Sequence, residues 1–126
     1  PEIKLKRSEV SVTSADHGYT GTLDCLAEEN KEMILFDWKT GKCDVGTKKE
    51  KEIPPVYPEH EYQVAAYREA YNEEFNGNIQ SAKILVIAKD KVAYTLLTIS
   101  QAVLETHLDE VFLPCLKIYN YQKSQK

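Results

Sequence analysis

The stretch GYTGTLDCLAEENKEMILFDWKTGK, residues 18–42, decides how this chain is expected to fold. YTGTLDCLAE at 19–28 reads as a strand, and Glu29-Asn30-Lys31-Glu32 reads as a tight polar turn in which Asn30 suits a left-handed backbone. MILFDWK at 33–39 is a short, mostly apolar run, the pattern of a strand buried on both faces. Two strands joined by so short a turn form a hairpin. If Asn30-Lys31 is its two-residue loop, Glu29 faces Glu32, and stepping outward brings Asp24 opposite Asp37. Directly opposed residues share a face, with Cβ atoms about 4.5–5.5 Å apart. Lys39 falls on that face too, about 6.5 Å beyond Asp37. A turn of another length would shift the register, so the juxtaposition is conditional on this one.

Residues 3–12 (IKLKRSEVSV) alternate apolar and polar and read as a further strand, with a turn at Ser14-Ala15-Asp16-His17-Gly18. Residues 40–58 hold Gly41, Gly46, Pro54, Pro55 and Pro58 and read as a long loop, a feature often tied to function. Apolar positions 64, 67, 71 and 75 give residues 59–76 a helical period, with Pro58 at the start and Gly77 as the C-terminal cap. Residues 81–89 and 92–99 read as strands around an Asp90-Lys91 turn. Ser100 is expected to cap a last helix running to about residue 121, with apolar positions at 103, 104, 108, 111, 112, 115 and 118. Pro114 should kink or break that helix. The order β-β-β-α-β-β-α predicts a mixed α/β layer fold, with one domain over residues 1–126.

Composition narrows the function classes. With 126 residues, 42% hydrophobic and 29% charged, the chain has the balance of a globular protein. No run approaches the roughly 20 apolar residues of a spanning helix, so no membrane partner is expected. Three widely spaced cysteines suggest neither a disulfide framework nor a zinc site. Cys25 and Cys115 read as small core residues, and the setting expected is intracellular, in the cytoplasm. The chain starts with Pro rather than Met, so it is expected to be processed, cut from something longer, or seen only in part. The net charge of −4 is not that of a general nucleic-acid binder. Lys39, Lys42, Lys48, Lys49 and Lys51 nonetheless cluster in one segment, which describes a solvated face or a basic loop flanking an acidic metal site.

Two opposed carboxylates repel each other and destabilise a hairpin unless one is protonated or a cation binds. Mg²⁺ accepts one or two carboxylates along with water and phosphate oxygens, and the Trp38 carbonyl could add a third protein ligand. Such an ion lowers the pKa of a bound water, and Lys39 would place positive charge beside the water or a scissile phosphate. Two aspartates on adjacent strands also describe a solvated face. Against that, Asp37 interrupts a run of Met33, Ile34, Leu35, Phe36 and Trp38, and ionised acids are seldom buried unpaired.

Gly21 with Asp24, then Asp37 with Lys39, then Gln63 with Tyr67 form an ordered series that resembles the PD-(D/E)XK nuclease superfamily, in its RecB-like exonuclease branch. That resemblance runs from about residue 9 to the C-terminus. It implies a restriction-endonuclease-like mixed sheet flanked by helices, and Mg²⁺ or Mn²⁺ held by Asp24, Asp37 and the Trp38 carbonyl. It also implies that Lys39 assists the nucleophilic water, with Gln63 and Tyr67 positioning DNA or metal-site waters. Glu9 lies near where relatives place a further acid, and is a weaker candidate ligand. Thr40, Lys42, Lys48 and Lys49 are the candidate nucleic-acid contacts. The expected activity is a metal-dependent deoxyribonuclease acting on single-stranded DNA or duplex ends.

Two features depart from the pattern. The helix that usually precedes the first strand is not found in residues 1–126, which a shortened chain, a partner segment or an oligomer would explain. Some relatives carry a four-cysteine iron–sulfur cluster, and three cysteines predict none here. The alternatives are a silent nucleic-acid-binding or structural module of a larger repair or replication assembly, and a hydrolase of another phosphoester. His17 and His60 read as a turn residue and an exposed helix-start residue, and His107 as a surface residue.

Overall fold

The computed structural model describes residues 3–43 and 53–125. The chain runs β1 (Ile3–Ser14), β2 (Tyr19–Glu29), β3 (Glu32–Gly41), α1 (Pro58–Glu74), β4 (Ile79–Ala88), β5 (Tyr94–Ile99), α2 (Gln101–His107), a π-helical turn (Leu108–Phe112) and α3 (Leu113–Ser124). The five strands form one sheet in the order β1-β2-β3-β4-β5. β3 and β4 are parallel, and the other neighbours are antiparallel. A parallel pair needs a crossover, and α1 supplies it. This is the mixed α/β fold that the order of elements predicts.

α1 crosses β1, β2 and β4, and α2 lies beside it over β4. The core between them takes Val10, Leu26 and Leu35 from β1 to β3, Ile84 and Val86 from β4, Val64 from α1 and Leu104 from α2. Strand alternation puts Trp38, Ile87, Tyr94 and Leu96 on the other side of the sheet, where all four are exposed. The end of α1 is tied to the start of β4 by polar bonds. Arg68 Nε donates to the Ile79 carbonyl at 2.7 Å, and the Ile79 N–H donates to Asn72 Oδ1 at 2.8 Å. Those bonds hold one helix face at a set angle to the sheet, which aims Gln63 and Tyr67 at β3.

Three expectations are corrected. Gly77 is not the left-handed cap of α1, because Asn76 takes that conformation with φ 49°. Gly77 instead leaves room for Tyr71, whose Cε1 would stand 2.5 Å from an added Cβ. Pro114 neither breaks nor ends the last helix. The wider π-helical turn just before it absorbs the residue that lacks an N–H, and helix continues to Ser124. Cys115 is exposed, whereas Cys43 is buried along with Cys25. α3 packs on the π-helical turn and buries none of its residues, so apolar positions such as Ile118 face solvent. Ser100 caps α2 as expected, its hydroxyl accepting from the Val103 N–H at 3.4 Å.

Candidate active site

The hairpin has the two-residue turn. Asn30 and Lys31 both sit at positive φ, 53° and 65°, as a type I′ turn requires. The ladder then runs Glu29↔Glu32, Glu28↔Met33, Ala27↔Ile34, Leu26↔Leu35 and Cys25↔Phe36. It stops one step before Asp24 and Asp37. There a side chain replaces the backbone partner, and Trp38 N–H donates to Asp24 Oδ2 at 3.0 Å. β2 therefore leaves β3 at Asp24, where the ladder ends beside the two aspartates.

Asp37 is 2% exposed, because β3 turns it toward α1 on the same face as buried Leu35. Its Oδ2 is buried without a geometrically sound hydrogen bond, although Lys39 Nζ lies 3.2 Å away. Burial first, and then the neighbouring Asp24 carboxyl, push the Asp37 carboxyl up to about 6, against the pull of Lys39. A buried acid oxygen short of a donor beside a second carboxyl is a donor set that fits a hard divalent cation.

Lys39 is held from the helix. Its Nζ donates to Gln63 Oε1 at 2.9 Å, and Gln63 Nε2 donates to the Tyr67 hydroxyl at 2.8 Å. Gln63 and Tyr67 are i and i+4 on α1 and so share a face. Tyr67 reaches this position only because residue 21 is glycine. A Cβ there would stand 2.3 Å from Tyr67 Cε1. Burial raises the Tyr67 phenol, and the charges of Asp37 and Asp24 raise it further, so it stays protonated. One connected set thus runs from Asp24 and Asp37 through Lys39 and Gln63 to Tyr67, with Gly21 behind it.

Other candidates are not gathered in. Glu9 is exposed on β1 at φ 48°, and its carboxylate does not come within 4.8 Å of both Asp24 and Asp37. Thr40 pairs with Ile87 in the β3–β4 ladder, on the face opposite Asp37 and Lys39. Lys42 is exposed just past the end of β3, and Lys48 and Lys49 lie outside the described residues.

His60 was expected at an exposed helix start and stands closer to the site. Its Nδ1 is buried without a hydrogen-bond partner, and burial, then the Lys39 charge, lower its pKa. The signal was helical spacing, because 60, 63 and 67 share one face. His107 is bonded instead to Glu61, Nε2 to Oε1 at 3.1 Å.

The mixed sheet, the crossover helix and the acids at the splayed hairpin make this a nuclease-like α/β fold, in keeping with the resemblance seen in the sequence. The chain is similar to Mitochondrial genome maintenance exonuclease 1 of Xenopus tropicalis, at 32% identity over 89 residues, 68% of this chain and 23% of that protein. It therefore spans about a quarter of the length of that curated relative. The crystal structure of a protein assigned as an exonuclease from Eubacterium rectale superposes with a TM-score of 0.65 at 15% identity, over 95% of this chain and 46% of that one. At that identity the likeness is one of fold. No protein-family model matches the chain. Among the described residues no helix is long and apolar enough to cross a membrane.

Proposed function

We propose that this chain is the catalytic unit of a metal-dependent deoxyribonuclease, an exonuclease that hydrolyses phosphodiester bonds. The observation that carries the reading is the buried Asp37 oxygen, short of a donor, beside Asp24 and an ammonium oriented from α1. Asp24, Asp37 and the Trp38 carbonyl would hold Mg²⁺ or Mn²⁺, without Glu9. When bound, such an ion supplies a more acidic water and stabilises charge on a phosphate oxygen.

The chain's own residues divide the remaining work. Lys39 Nζ has three donors. One goes to Gln63, one side faces Asp37, and the remaining direction meets the incoming phosphate or the attacking water. Its fixed charge acts where negative charge develops, without reorganisation at the moment of reaction. Gln63 and Tyr67 keep the ammonium from swinging to solvent. The water oxygen bonds to phosphorus as the bond to the 3′ sugar oxygen breaks, a proton given up by the water ends on that departing oxygen, and a 5′-phosphate is left. Lys42 and the segment with Lys48 and Lys49 supply charge for the strand's backbone.

The test is cleavage of labelled single- and double-stranded DNA with Mg²⁺ or Mn²⁺ by the parent, Asp37→Ala and Lys39→Ala. Shortening of labelled strands by the parent alone is expected. Equal cutting by all three proteins overturns the assignment.

A further inference from the structure

A second group of metal-ligating side chains lies apart from the aspartates. His17 in the β1–β2 turn and Glu69 and Glu73 on α1 each offer a ligand atom, and the three atoms lie within 4.8 Å of one another. Glu69 is six residues beyond Gln63, about 9 Å further along the helix axis.

The group is held in place from both sides. Ser14 Oγ donates to Glu73 Oε2 at 2.7 Å, and the Asp16 N–H donates to Glu73 Oε1 at 2.8 Å. The same Ser14 hydroxyl accepts from the His17 N–H at 3.1 Å. The Ser14 and Asp16 bonds each take one lone pair of a Glu73 oxygen, so others remain available to a cation. The His17 ring lies nearly parallel to Tyr19, 6.4 Å between centroids, which orients the imidazole.

The local charge is negative. Glu69 and Glu73 are like charges at i and i+4, an arrangement that destabilises a helix. Among the described residues, no lysine or arginine forms an ion pair with either of them.

We infer that His17, Glu69 and Glu73 form a binding site for a first-row transition ion, Zn²⁺ above all, that clamps the β1–β2 turn onto α1. The imidazole selects against Mg²⁺, which takes oxygen ligands, and favours the borderline ions. Ligand bonds of about 2.0–2.2 Å need closer donors than the present spread, and rotation of the Glu69 and His17 side chains brings them in. Three protein ligands leave a further position for water. The site goes beyond the nuclease reading and does not depend on it.

The test is Zn²⁺ titration of the EDTA-stripped chain, followed by nitrogen chemical shifts of the histidine rings and by calorimetry. The chain has three histidines, and the ring of His17 alone should shift as about one equivalent binds. His17→Asn and, separately, Glu69→Gln should each weaken that binding at least about tenfold while leaving the circular dichroism spectrum unchanged. Neither residue makes the Glu73 bonds that hold the turn, so both variants are expected to fold. An Asp24→Asn/Asp37→Asn chain should keep the His17 response. A His17 ring that does not respond, or variants that bind as the parent does, overturns the site.

Discussion

Lys39 Nζ lies 2.9 Å from Gln63 Oε1, across 24 residues of chain and between a strand and a helix. That bond fixes where a flexible side chain puts its charge, and it joins the hairpin half of the site to the helix half.

Gln63→Ala should therefore lower kcat by about ten- to a hundredfold, because the ammonium loses its orientation rather than its charge. Gln63 is only half-buried, so the melting temperature should move little. Steady-state kinetics beside a thermal melt separates the two effects, and a large loss of stability would instead make Gln63 a packing residue.

Asp37 sets a pH dependence. Its folded-state pKa, about 6, is above the ordinary carboxylate value, so burial favours the protonated form. That contribution to stability is complete below the unfolded pKa and is lost as pH rises through about 6. In EDTA the melting temperature should fall from about pH 4 to about pH 7, and Asp37→Asn should remove most of that slope. Added Mn²⁺ should reverse its sign, since the cation binds the ionised form.

Gly21→Ala places a methyl group 2.3 Å from Tyr67 Cε1. The ring has a core on its other side and must shift, at a cost of about 1–3 kcal/mol. Activity should fall along with stability, because Tyr67 anchors Gln63. Chemical denaturation and the DNA cleavage assay check the pair of effects.

The turn is open to improvement. Lys31 holds φ 65° with a side chain, and glycine adopts that conformation without strain. Lys31→Gly creates an Asn-Gly turn and should stabilise the chain, because relief of a left-handed strain of about 1–2 kcal/mol outweighs glycine's greater unfolded-state freedom. Lys31→Val should destabilise it. A denaturation series in which valine matches glycine would contradict the turn geometry, and with it the register that brings Asp24 near Asp37.

Much of this was legible because the deciding contacts are local. The Asn30-Lys31 turn sets the hairpin register by itself, and the 3.6-residue period puts Gln63 and Tyr67 on one face of α1. The Lys39–Gln63 bond depends on the angle at which α1 crosses the sheet, which residues such as Arg68 and Asn72 set at the far end of the helix. No pattern within residues 59–76 encodes that angle. His60 reads as exposed because a histidine two residues after a helix-starting proline usually faces solvent, and only the packed helix shows its ring nitrogen covered. Cys115 and Ile118 have the spacing of a buried helix face, but α3 buries none of its residues, so that periodicity does not mark a core face. Asp24 does not complete the ladder as a strict hairpin would have it. Its carboxylate takes the Trp38 N–H instead, a substitution that depends on where the two strands separate.

The central claim is that Asp24 and Asp37 share one divalent cation. The most direct measurement is anomalous diffraction from crystals of this chain grown with Mn²⁺. The account predicts a single strong peak between the two carboxyl groups, within about 2.0–2.3 Å of an oxygen from each. A difference map with no peak there, at a Mn²⁺ concentration that supports cleavage in solution, would contradict it.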